Sequence, residues 1–410
     1  MTKYAIYFAV ILFPIQTLSI PIKDTAFDLS SILLSITTLF IFFFKKKKNN
    51  THLFILFIFI IYQLIIFIYS PAPFTRFISA LYWMVIFIMM FCINKDFKIN
   101  HQFVEKIIIY ILLISCAVSW YQYYYIITPE LYNQGVKYRV SAFFSEPSFA
   151  GLAFFAAAVG SLLNFLYKKN NIRHFFLFLI FFSTGFLTLS MHIVTFFLSI
   201  ITIFIFIIYK NDLIFLQRIG SFFIGIIIFI LMLSAVAYFI DEVFFDKFYS
   251  HILQRVNIFD STIKSLSLLS WMRGMEQMIY SIKETYIFGF GLGTTGEYYF
   301  PSVYGEMLKK YGVFELTLKD SFSLFFRLVI EIGLIFTLIF LLLIFYICFK
   351  FLRETISNKD EFFNHIFLFS FSLTMIIGSL IKEPNYARSS LFISIMLIST
   401  FFKKRKNIEK

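Results

Sequence analysis

The chain has 410 residues, 60% of them hydrophobic and only 14% charged, with 62 Phe and 24 Tyr, where soluble domains carry about 25% charged residues. No soluble fold hides that much apolar surface, so the composition excludes a soluble enzyme, a nucleic-acid-binding domain and a disordered chain. The formal net charge of +13 then reads as the basic bias of cytoplasmic loops in a membrane protein.

The apolar runs are continuous and about twenty residues long, which fits spanning helices and not alternating barrel strands. In chain order they predict spans over 4–22, 27–44, 51–69, 77–94, 107–127, 148–167, 174–190, 192–209, 219–240, 323–349, 362–381 and 388–402. The first run has no small-residue cleavage site after it and reads as a span, not a signal peptide. The expected fold is an all-α polytopic membrane protein of about twelve transmembrane helices. Residues 1–240 hold spans 1–9, with a short external loop at 128–147. Residues 241–322 form one large extracytoplasmic loop, and 323–410 hold the last three spans and a basic tail.

Basic residues set the orientation. One side collects twenty-one Lys and Arg, including Lys45–Lys48 and Lys403–Lys406 apart from Arg405, which adds to them; the short loops opposite hold six. That bias places both termini in the cytoplasm. The three cysteines fall inside predicted spans and form no CxxC, and the six histidines make no cluster, so neither a disulfide framework nor a zinc site is expected. No internal repeat is legible.

Within the large loop, apolar residues at 244, 245, 248, 249, 252, 253, 256 and 259 predict a helix, with Lys247, His251 and Arg255 on its other face. A second helix is expected from Trp271 to about Glu284. Its apolar side is Trp271, Met275, Met278, Ile279 and Ile282; its polar side is Arg273, Glu276, Gln277, Tyr280 and Lys283. Both read as amphipathic helices that lie on the membrane surface or cap the bundle.

Four constellations could carry chemistry. The first is Arg139-Val-Ser-Ala-Phe-Phe-Ser-Glu146-Pro147, leading into the sixth span. Glu146 and Pro147 suit a helix start, and Arg139 with Glu146 also suits a polar cavity at the outer surface. The second runs from Arg273 to Phe288-Gly289-Phe-Gly291-Leu-Gly293-Thr-Thr-Gly296. It matches GxGxxG formally, but it follows a helix instead of joining a strand to one, so it reads as a tight turn with backbone N–H groups near a ligand or a neighbouring helix. The third is Lys319-Asp320-Ser321, followed by Arg327 and Glu331 on one face of span 10; ionisable residues inside a span are costly and point to function. The fourth is Lys382-Glu383-Pro384-Asn385-Tyr386-Ala-Arg388. Arg139, Arg255, Arg273, Arg327 and Arg388 thus gather at the outer face, where planar guanidinium groups suit phosphate or pyrophosphate oxygens. The chain has no DxD metal motif.

Topology and these motifs together resemble the O-antigen polymerase (Wzy-type) family, which is related to the O-antigen ligases. The resemblance rests on Arg139–Pro147, on Arg273–Gly293, and on Asp320–Gly333, where Phe-Arg-Leu-Val-Ile-Glu-Ile-Gly-Leu-Ile is similar to the family's "LLxExGLIG" ending. Ligases usually carry a His just before that segment; here Asp320, Ser321 and Ser323 stand there.

The resemblance implies a metal-independent, inverting glycosyltransferase, without cofactor, in the bacterial cytoplasmic (inner) membrane. Its partners would be undecaprenyl-pyrophosphate-linked glycans and a chain-length regulator protein. It implies Arg139, Arg273 and Arg327 as pyrophosphate ligands, Arg255 and Arg388 as second choices, and Glu146 or Asp320 as the base, with His251 further down. A ligase and a lipid-linked oligosaccharide flippase are the rivals. A flippase calls for charges deep inside many spans, and spans 1–9 hold almost none; an ion-coupled transporter calls for midplane carboxylates or broken helices, and the sequence pattern displays neither.

Overall fold

The computed structural model describes residues 2–15, 19–22, 25–44, 50–92, 99–126, 140–144, 146–167, 172–188, 190, 192–208, 266–295, 297, 302–314, 321–356, 359–382 and 389–400. The predicted ninth span and the predicted helix 244–259 lie outside them. The described chain is helical: α1 Thr2–Leu12, α2 Leu29–Phe44, α3 Asn50–Ile68, α4 Phe74–Cys92, α5 His101–Tyr121, α6 Pro147–Tyr167, α7 Ile172–Leu187 and α8 His192–Ile208. Then follow α9 Leu266–Thr285, α10 Val303–Lys310, α11 Leu324–Ile356, α12 Lys359–Lys382 and α13 Ser389–Thr400. Among the described residues, four stretches are long and apolar enough to cross a membrane: His101–Tyr125, Pro147–Leu166, Leu324–Tyr346 and His365–Lys382. The shorter apolar helices pack beside them in one core.

The first expected span is not one helix to residue 22. Helix α1 stops at Leu12, and Ser19–Ile22 pairs antiparallel with Thr25–Asp28 in a short ribbon. Pro14 and Pro21 lack the N–H a continuing helix needs. Eleven helical residues rise only about 16 Å.

Helix α6 is the hub. Apart from Phe165 its residues 148–166 are buried, lying against α7, α8 and α12. Its small residues permit this. Gly151 fits under Thr188 and Ser190, Gly160 under the Phe367 backbone, and Gly185 of α7 admits the Phe155 ring. Phe155, Phe178, Phe182 and Phe196 fill the space between α6, α7 and α8.

Contacts between turns define one end of the bundle. Phe13 meets Phe144, Ser190 meets Gly151, and Ser323 donates to the Leu380 carbonyl at 2.6 Å. At the other end His101 lies against His365 and Thr400. The end with Phe144, Ser190 and Ser323 also receives α9 and the residues after it.

Candidate functional site at the break in helix α11

Helix α11 is not continuous. Gly333 sits at φ 84°, ψ 163° inside it, a conformation reserved for glycine. Such a break frees backbone groups that lipid cannot satisfy. Here the glycine segment after α9 satisfies them. Phe290 N–H donates to the Ile330 carbonyl at 2.8 Å, Gly291 N–H to the Glu331 carbonyl at 2.9 Å, and Leu334 N–H to the Ile287 carbonyl at 2.9 Å. Gly289 (φ 81°) faces Gly333 directly, and a Cβ on either would strike the other's backbone or its neighbours.

This strap, residues 286–297, is fastened further. Tyr62 of α3 donates to the Phe288 carbonyl at 2.8 Å, and Arg76 pairs with Glu297 at 2.5 Å. Gly291 lies on Ile66 and Ser70; Gly293 lies on the backbone of Arg76 and Phe77. The glycines therefore serve a close approach to neighbouring helices, one of the two readings the sequence left open.

Beneath the strap, Glu331 is fully buried and its Oε1 accepts from Arg327 Nε at 3.0 Å and from Thr295 Oγ1 at 2.6 Å. The i, i+4 pair expected from the sequence is thus formed, with Thr295 as an added donor. The break also corrects the sequence reading, which found no broken helix. Gly333 was concealed because one glycine in an apolar run does not disturb the hydropathy pattern.

Helix α9 packs along the first part of α11. The Trp271 ring meets the Phe326 ring at 5.0 Å, and only glycine fits at 274, against the Ser321 carbonyl. Its Leu268, Leu269 and Met272 join Leu308 of α10 in a small core. Arg273 is 1% exposed and its Nη1 donates to the Phe314 carbonyl at 2.6 Å. Glu276 points at the start of α10, where Ser302 and the Val303 and Tyr304 backbone hydrogen-bond it. Burial nevertheless pushes its carboxyl above the usual carboxylate range, the hydrogen bonds opposing that shift in part.

Of the residues the sequence singles out, Arg273 and Arg327 stand on two helices packed together. Glu146 heads α6 instead; it is exposed, accepts from Ser148 Oγ at 3.1 Å, and its carbonyl opens the helix. Arg139, Arg255, His251, Asp320 and Arg388 lie outside the described residues. Among the described residues no three His, Cys, Asp or Glu side chains converge as a metal site would need. The sequence reading missed Tyr62, Arg76, Thr295 and Glu297. Arg76, in the first turn of α4, and Glu297, in the strap, stand 221 positions apart, and no periodicity links such a pair. No family model matches the chain, and no curated protein matches its sequence.

Proposed function

We propose that the protein is a polymerase of lipid-linked oligosaccharide repeat units, of the Wzy type, acting at the outer face of a bacterial cytoplasmic membrane. In this reading it crosses the membrane about twelve times, with both termini in the cytoplasm. The observation that supports it best is that Arg273 and Arg327 stand on two helices packed together at one end of an apolar bundle. A guanidinium carries five donors in a fixed fork suited to phosphate oxygens. The reaction needs positive charge on the departing lipid pyrophosphate and a base at the attacking hydroxyl. Arg273 and Arg327, with Arg139, Arg255 and Arg388, supply the first. Glu146 or Asp320 supplies the second. The acceptor oxygen bonds to the donor's anomeric carbon, the pyrophosphate leaves, and the base takes the hydroxyl proton.

The test is the surface glycan of a deletion strain, with complementation. Collapse of a polymer ladder to a single repeat unit supports the polymerase. Long polymer held on its lipid carrier identifies a ligase. Arg273→Lys and Arg327→Lys keep the charge and lose the fork, and each is expected to leave only short chains; near-normal polymer from both removes these arginines from the site.

The broken α11 favours a second reading, a transporter such as a lipid-linked oligosaccharide flippase. Single lipid-linked units trapped on the cytoplasmic face of the deletion strain would select it.

A further inference from the structure

Helix α9 turns a polar stripe inward. Ser270, Arg273, Gln277 and Ser281 follow i, i+3, i+7, i+11 and so share one face, and all four are buried. Within that stripe Ser270 Oγ, Gln277 Nε2 and Ser281 Oγ have no hydrogen-bond partner among the described residues, and neither does Ser321 Oγ at the start of α11. A buried donor left unpaired is destabilising, and native proteins keep only a few such groups per hundred residues. Four at one helix–helix contact mark a face with a second use.

The same contact stores backbone strain. Tyr286 and Ile287 (φ 49° and 76°) follow α9, and Ser321 and Phe322 (φ 56° and 63°) precede α11. Positive φ is uncommon outside glycine and an outlier for a β-branched residue such as Ile287. The strap that holds this strained contact uses a few discrete fastenings: three backbone bonds, Thr295 on Glu331, Tyr62 on Phe288, and the half-exposed Arg76–Glu297 pair.

We propose that α9 and the strap 286–297 form a lid on α11, and that the face exposed when it lifts, Ser270, Gln277, Ser281 and Ser321, binds the hydroxyl groups of a glycan. Hydroxyls and a carboxamide donate and accept without net charge, which suits a polyol and not an anion. The identity of the ligand rests on the function proposed above; the motion does not.

The experiment uses the full chain in proteoliposomes, with its three cysteines replaced by alanine and Ser281→Cys added; Ser270→Cys serves as a second probe. A small thiol reagent is expected to label Cys at 281 slowly. Labelling should rise several-fold when Arg76→Ala and Glu297→Ala cut the outer fastening. Joining Arg76→Cys to Glu297→Cys with a short reducible cross-linker should suppress it until reductant is added. Equal rates in all three forms, at both probe positions, overturn the lid. The cell's own surface glycan, released by mild acid, should slow labelling of the unfastened form; no slowing overturns the ligand and leaves the motion standing. A lid that opens in a protein whose deletion leaves the surface glycan unchanged separates this proposal from the polymerase reading.

Discussion

Gly333 and Glu331 set the terms at the residue scale. Gly333 takes a backbone conformation other residues reach only with strain, and its Cα faces the Ile287 carbonyl. Gly333→Ala is therefore expected to cost about 1–3 kcal/mol in strain alone, read as a lower thermal midpoint in detergent. Gly312 (φ 71°), with open space around it, is the control: Gly312→Ala pays for conformation without a clash. Glu331 is different in kind. Removing its carboxylate leaves Arg327 and Thr295 without their shared acceptor, and breaking a buried pair from one side costs about 3–5 kcal/mol. Glu331→Ala should lie near that range, while Thr295→Val loses one hydrogen bond, roughly 1 kcal/mol. A double-mutant cycle of Thr295→Val with Glu331→Gln measures their coupling.

At the scale of the element, α9 is the instructive case. Its existence and its end were readable from periodicity, its start was not: the expected 271–284 lies within the observed Leu266–Thr285, which begins five residues earlier. Its orientation was not readable. Hydropathy assigns the apolar side inward by default, but Leu268, Leu269 and Met272 are absorbed by α10, a helix of eight residues too short and polar to announce itself. Trp271 of the expected apolar side meets Phe326 of α11, while Arg273 and Gln277 of the expected polar side are buried as well. Glu276 gives this arrangement a pH signature. Its carboxyl titrates above the usual range because burial penalises the charged form, so in the unfolded chain it releases its proton at lower pH than in the folded one. The stabilising effect of the protonated form is complete below the ordinary carboxylate range and is lost as pH rises through the raised value. Glu276→Gln should thus match the parent at low pH and exceed it in thermal stability near neutrality, with the difference growing between the two. A constant difference across that range would assign the effect to something other than titration.

Over the whole molecule, the run of apolar helices was legible because burial in lipid and burial in protein impose the same continuous hydrophobicity. The short ribbon after α1 was not, since Ile and Thr residues beside prolines read equally well as the end of a span. The site was legible as separate motifs, Arg273 and the glycines in one stretch and Arg327 with Glu331 in another. Their meeting was not, because it depends on a helix break that no periodicity records. The orientation read from basic residues makes a direct prediction. A cysteine placed at the exposed Tyr311 should react with an impermeant thiol reagent on intact cells, and one placed at Lys106, near the opposite end, only after permeabilisation. The reverse pattern would invert the protein and remove the site from the outer surface.

The strap also bears on how such a chain is made. Residues 286–291, which cover the open carbonyls of Ile330 and Glu331, precede Gly333 in the chain. During synthesis the cover therefore exists before the gap. The first ten residues of α11 can dock on a partner already waiting at the membrane surface, and the discontinuity need never face lipid bare. A circularly permuted chain that delivers 324–356 ahead of 266–297 would have the same contacts available and the opposite order of events, and insertion of α11 would be its point of failure.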